Sequence, residues 1–121
     1  MTNLPSSTQR TVGVLGGLGP NATVDFMARV VAATEAECDQ EHIRMLVDHN
    51  PTVPNRHDAI AGNTPSVGPC LAAMAAGLEF SGADFLVMVC NTAHAYGEDI
   101  CAAVKIPFIT TIDETVRELD N

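Results

Sequence analysis

Apolar and polar positions recur along this chain with two different periods. Thr11-Val-Gly-Val-Leu15 is a short β-branched run that stops at Gly16-Gly-Leu-Gly-Pro20. That order predicts a strand, a tight turn and a helix start with Pro20 near the first helical position. Thr23, Phe26, Met27, Val30, Val31 and Thr34 then recur at three- and four-residue steps, one apolar face of a helix that ends before the polar Glu35 to Glu41 stretch. Ile43 to Val47 reads as the second strand. The next eleven residues, Asp48 to Asp58, hold two prolines, two asparagines and four Asp or His side chains beside Arg56, so they read as a loop.

Pro65 and Pro69 favour a helix that begins late, near Gly68 or Pro69, because a proline deeper inside would cost ~3 kcal/mol or more. Leu71, Met74, Ala75 and Leu78 form its predicted buried stripe, and Ser81-Gly82 its end. Phe85 to Val89 is apolar on both faces, as suits a strand in the middle of a parallel sheet. A further helix is predicted from Asn91 or Thr92 to about Val104, and a fourth strand over Ile106 to Thr110. Thr111-Ile-Asp-Glu114 has the form of a capping box that opens a last helix with Ile112, Val116 and Leu119 on its apolar side. Strands alternating with helices predict an α/β fold: a three-layer sandwich around a parallel sheet of about four strands.

The length of 121 residues is that of one domain with a core of its own. Residues 1–10 read as a flexible polar tail without the apolar segment of a secretory signal, and residues 11–121 as the α/β domain. No apolar run approaches a membrane span. A cytoplasmic protein is expected. The net charge of −9 disfavours nucleic acid and anionic membranes, and an anionic small substrate would need a local cation to hold it. Cys38, Cys70, Cys90 and Cys101 are too widely spaced for a zinc ribbon or a disulfide framework.

In open parallel sheets, ligands bind at the carboxyl ends of the strands. Three polar clusters follow strands directly: Gly16 to Thr23, Asn50 to Arg56, and Cys90 to His94. The glycine turn offers backbone N–H groups at a helix start, although it lacks the dinucleotide spacing and is as readily a packing turn. Arg56 carries a fork suited to a carboxylate, against the commoner fate of a solvated loop arginine. His49 and His57 read as ordinary loop histidines. Cys38, Cys70 and Cys101 read as small hydrophobes. Cys90 differs because it stands between a strand and the expected N-terminus of the next helix, where a thiol is favoured as thiolate. His94, four residues on, could be a cation, a substrate contact or a cap-region residue; two ligands alone make a weak metal site.

Residues 14–26 (Val-Leu-Gly-Gly-Leu-Gly-Pro-Asn-Ala-Thr-Val-Asp-Phe), 39–43 (Asp-Gln-Glu-His-Ile), 50–56 (Asn-Pro-Thr-Val-Pro-Asn-Arg), 82–85 (Gly-Ala-Asp-Phe) and 90–94 (Cys-Asn-Thr-Ala-His) together resemble the aspartate/glutamate racemase family. The resemblance runs from residue 12 to about 119, in order. The Gly-Gly-Leu-Gly-Pro loop is similar to that of the aspartate racemase branch, which includes broad-specificity amino-acid racemases, and lacks the Asp-Ser-Gly opening of glutamate racemases.

The resemblance implies racemisation without pyridoxal phosphate, metal or any other cofactor, in which one cysteine removes the α-proton and a second returns one from the opposite face. It implies Cys90 as one of these bases. Asn91, Thr92 and His94 become substrate contacts, Arg56 a carboxylate clamp, and Gly17, Leu18, Gly19 and Thr23 the lining of the pocket. The implied ligand is a small dicarboxylic amino acid. Family members carry two similar domains, with the second cysteine in a Gly-Cys-Thr-Glu stretch that this sequence lacks. The chain is therefore expected to hold the first domain only, with its second base supplied by a homodimer partner or a second-domain partner. Two alternatives stay open: a non-catalytic carboxylate-binding remnant, and a related cysteine-dependent isomerase or decarboxylase such as a maleate isomerase.

Overall fold

A computed structural model describes residues 10–62, 66–90 and 95–109. Its strands are β1 (Val12–Gly16), β2 (Met45–His49), β3 (Phe85–Met88) and β4 (Phe108–Ile109); its helices are α1 (Pro20–Ala33), α2 (Arg56–Ile60), α3 (Gly68–Phe80) and α4 (Gly97–Ala103). The sheet is parallel with order β2-β1-β3-β4. The expected four-stranded α/β fold is the one observed.

Strand order determines where the helices go. The connection from β1 to β2 runs one way along the sheet, and that from β2 to β3 runs back across β1. Right-handed crossovers then place α1 and α3 on opposite faces. Side chains agree, because successive residues of a strand face opposite sides. A β-carbon on Gly13 would meet Leu78 of α3 with Ala83 and Leu86, whereas one on Gly16 would meet Thr23 of α1.

The core lies on the α3 side. Leu15, Leu71, Leu86 and Ile100 are completely buried there, with Leu18, Val53, Val67, Met74, Ala75, Leu78 and Met88 around them. Each of the Leu, Ile, Val and Met side chains stabilises the fold by roughly 1.5–3 kcal/mol. The stripe expected on α3 is the buried one. Its end is built as expected too: Gly82 takes the left-handed conformation (φ +110°), and the Ala83 N–H donates to the Leu78 carbonyl (3.0 Å). The α1 side is looser. Only Thr23 of that helix is buried, Phe26, Met27, Val30 and Thr34 are half-buried, and Val31, expected inside, is exposed.

Several boundaries move. β2 begins at Met45 rather than Ile43, since pairing with β1 starts where the Val12 N–H donates to the Arg44 carbonyl (3.1 Å), and it continues to the Gly16–His49 pair. His49 is thus a strand residue. The loop expected through Asp58 ends earlier, at α2, because the Asn55 side chain accepts the Asp58 N–H (3.1 Å) and nucleates a turn of helix. α4 covers Gly97–Ala103 of the helix expected to run to about Val104, and the expected start at Asn91 or Thr92 lies outside the described residues. β4 covers Phe108 and Ile109 of the expected Ile106–Thr110. The capping box at Thr111 and the apolar stripe after it lie outside the described residues. Among the described residues, no helix is long and apolar enough to cross a membrane.

Candidate functional site

β1 lies between β2 and β3, and the chain leaves β1 and β3 toward opposite faces of the sheet. Loops that part in this way leave a crevice at the carboxyl ends of the two strands, the usual ligand position in open α/β sheets. Two of the expected clusters border that crevice directly. The Val89 N–H donates to the Leu15 carbonyl (3.2 Å), which carries the pairing of β3 with β1 one step past Met88 and sets Cys90 beside the glycine turn. On the other side of β1, the Asn50 N–H donates to the Gly16 carbonyl (2.9 Å) and draws the third cluster in.

Within the turn, Gly17 is buried at φ +88° and the Leu18–Gly19 peptide is cis. A β-carbon on Gly17 would overlap the backbone of Asn50, so close approach and a left-handed φ both require glycine here. Leu18 sends its side chain into the core, and only its backbone belongs to the turn. Gly19 is exposed and caps α1 with no side-chain hydrogen bond. Thr23 is not on a pocket wall. It is completely buried, and its hydroxyl oxygen accepts the Gly17 N–H (2.8 Å) and donates to the Gly19 carbonyl (3.3 Å).

Arg56 opens α2 behind a loop anchored in the core by Val53. Its Nη1 donates to the carbonyls of Val53 and Pro54 (3.2 Å each), and its Nε is buried without a hydrogen-bond partner. These contacts use Nη1 and leave Nε out of the loop's hydrogen bonds. Nε and Nη2 form the two-pronged donor that fits a carboxylate. Charge placement adds to this. Arg10, Arg44 and Lys105 precede strands and lie at the opposite edge of the sheet, and Arg29 is paired with Asp25 on α1 (2.7 Å). Arg56 is therefore the only lysine or arginine among the described residues at the carboxyl edge. The acidic Glu35, Glu37, Asp39 and Glu41 lie between α1 and β2, at the far edge.

Cys90 is half-buried and packs on the core cluster. Of the helix expected after it, the described part is α4 from Gly97 onward. Asn91, Thr92 and His94 lie outside the described residues. Of the other three, Cys38 and Cys101 are exposed rather than buried and Cys70 is half-buried; no disulfide joins the four thiols. Within the Asn50 to Arg56 cluster, the roles of two residues escaped the sequence reading. Asn50 binds the glycine turn through its backbone, a contact with no local signature, whereas the cap at Asn55 had one in the asparagine three residues before Asp58.

The Asp/Glu/Hydantoin racemase family model matches residues 15–120. Among curated proteins, the broad-specificity amino-acid racemase RacX of Bacillus subtilis is 30% identical over 117 residues, covering 89% of this chain and 48% of that protein. Among solved structures, an aspartate racemase of Picrophilus torridus is 35% identical with a TM-score of 0.82, covering 91% of this chain and 47% of that one. A putative Asp/Glu racemase from Yersinia pestis shares the fold at 20% identity and a TM-score of 0.74, over 92% of this chain and 49% of that one. The chain spans about half the length of the relatives it matches.

Proposed function

Since the chain belongs to the Asp/Glu/hydantoin racemase family, we propose that it carries one half of a cofactor-independent amino-acid racemase site, with Cys90 as one of two bases. The observation that carries this reading is the pairing of functions at one crevice. A guanidinium with an unused, buried Nε stands at the same sheet edge as a half-buried thiol. The ligand class follows from that edge: a small amino acid whose carboxylate takes the Arg56 fork, with a second carboxylate in the side chain as the favoured case.

In this mechanism the Cys90 thiolate accepts the α-proton and becomes a thiol, while the electron pair left on the α-carbon spreads into the adjacent carboxylate. Positive charge and N–H donors around that carboxylate stabilise the carbanion, which otherwise makes the step prohibitively slow. The proton then returns from Cys90 to the same face, or another is delivered from the opposite face by a second base. Only the second route inverts the centre. Asn91 and Thr92 would contact the substrate next to Cys90, and His94 would lie near them. The second base comes from a partner domain, or from Cys90 of a second copy.

Each enantiomer of aspartate in D2O tests the assignment. Cys90 acting alone exchanges the α-proton of one enantiomer for deuterium without racemising it, and Cys90→Ala abolishes that exchange. Racemisation whose rate rises with the square of protein concentration identifies a second copy as the source of the other base. A folded chain that exchanges neither enantiomer removes Cys90 from the role of base. If aspartate or succinate still raises its melting temperature, the site is a carboxylate-binding one.

A further inference from the structure

Resting on that reading, we propose that Thr23 is a positioning residue of the site: its hydroxyl holds the Gly17–Gly19 turn in the shape that proton transfer at Cys90 uses. Thr23 lies in the first turn of α1 and is completely buried, so it is out of reach of a substrate. Its hydroxyl is saturated by the turn itself, accepting from Gly17 N–H at 2.8 Å and donating to the Gly19 carbonyl at 3.3 Å. Its methyl stands against Gly16, where no β-carbon could fit.

Two consequences follow for the crevice. The Gly17 N–H is committed to the protein, so no ligand atom receives it. The turn is also tied at both ends to a single side chain on α1, which makes its path depend on one hydroxyl group. A buried N–H that loses its acceptor must find another, and the turn would have to move to do so. Displacements of about 1 Å beside a reacting group can lower a rate by ~100-fold. Because the turn lies next to Cys90 rather than at the Arg56 fork, the loss is expected in kcat rather than in KM.

The test uses the full chain with Thr23→Val, which keeps the methyl and removes the hydroxyl, and Thr23→Ser, which does the reverse. Rates of α-proton exchange from aspartate in D2O are measured against substrate concentration, together with melting temperature and the hydrogen-exchange rate of the Gly17 amide. The expected result is that Thr23→Val lowers kcat by about 10-fold or more with KM within ~3-fold, and speeds exchange of the Gly17 amide, while Thr23→Ser keeps kcat near that of the parent. A Thr23→Val chain with the parent's kcat overturns the inference, as does a folded Thr23→Ser chain as slow as Thr23→Val. If Thr23→Val does not fold, Thr23→Ser decides alone: parental kcat at a lowered melting temperature supports the role of the hydroxyl, and a lost kcat overturns it. No exchange by the parent chain removes the Cys90 reading and this inference with it, a result distinct from a parent that works and a Thr23→Val variant that works equally well.

Discussion

The backbone of Asn50 lies so close to Gly17 that a β-carbon on Gly17 would overlap the Asn50 amide nitrogen, although the two residues belong to different strand ends. Gly17 also sits at φ +88°. Gly17→Ala therefore meets two penalties, a left-handed backbone that costs about 1–2 kcal/mol for a residue with a β-carbon and a steric overlap that separates the first two clusters of the site. A loss of roughly 2–4 kcal/mol in urea unfolding is expected, whereas Gly19→Ala, with open space around its α-carbon, should cost under ~1 kcal/mol. Equal losses at the two positions would contradict the close approach.

Cys90 should be separable from the other thiols by function. Cys38→Ala and Cys101→Ala remove exposed groups, and Cys70→Ala a half-buried one in the first turn of α3. All three should leave the rate of α-proton exchange within about twofold of the parent, while Cys90→Ser should lower it by ~100-fold or more, a hydroxyl being a far weaker base than a thiolate. NMR in D2O reads all four.

Replacing Arg56 by lysine retains the charge and removes the fork. The Nη1 contacts to the carbonyls of Val53 and Pro54 orient the group, and a lysine ammonium cannot present the same paired donors. The expected effect is a rise of about tenfold or more in the dissociation constant or KM for aspartate, equivalent to ~1.5–3 kcal/mol for a charge-assisted contact. Calorimetric titration measures it. An unchanged constant would mean that the Nε edge is not the carboxylate site.

Glu79, at the far edge of the sheet, supports β4 and provides a control remote from the crevice. One carboxylate oxygen accepts the N–H groups of Lys105 (2.7 Å) and Ile106 (3.2 Å) and so ties the approach of β4 to the end of α3. Glu79→Ala should destabilise the chain by about 1–3 kcal/mol and speed amide exchange at those two residues. The affinity of folded protein for aspartate should be unchanged.

Local patterning by itself determined the alternation of strands and helices, the buried stripe of α3 and the glycine that ends it, because each depends on neighbours a few residues apart. It also brought Gly17, Arg56 and Cys90 into question, since all three follow directly after strands. Where it failed, the deciding contact was distant. The limits of β2 depend on pairing with β1, and the exposure of Val31 depends on how little of the described chain packs over α1. Thr23 read as the first position on the inner face of α1 and, by the resemblance, as part of the pocket lining. Only the folded chain shows its hydroxyl bonded to Gly17 and Gly19 and withdrawn from solvent. Likewise, no sequence pattern could reveal that Arg56 spends Nη1 on its own loop and keeps Nε unpartnered, because hydrogen-bond partners of a side chain are set by where the backbone is carried in three dimensions. The residue types of the site were written locally; their division into an anchor, a base and a support came from a sheet order that brings separate strand ends to one crevice.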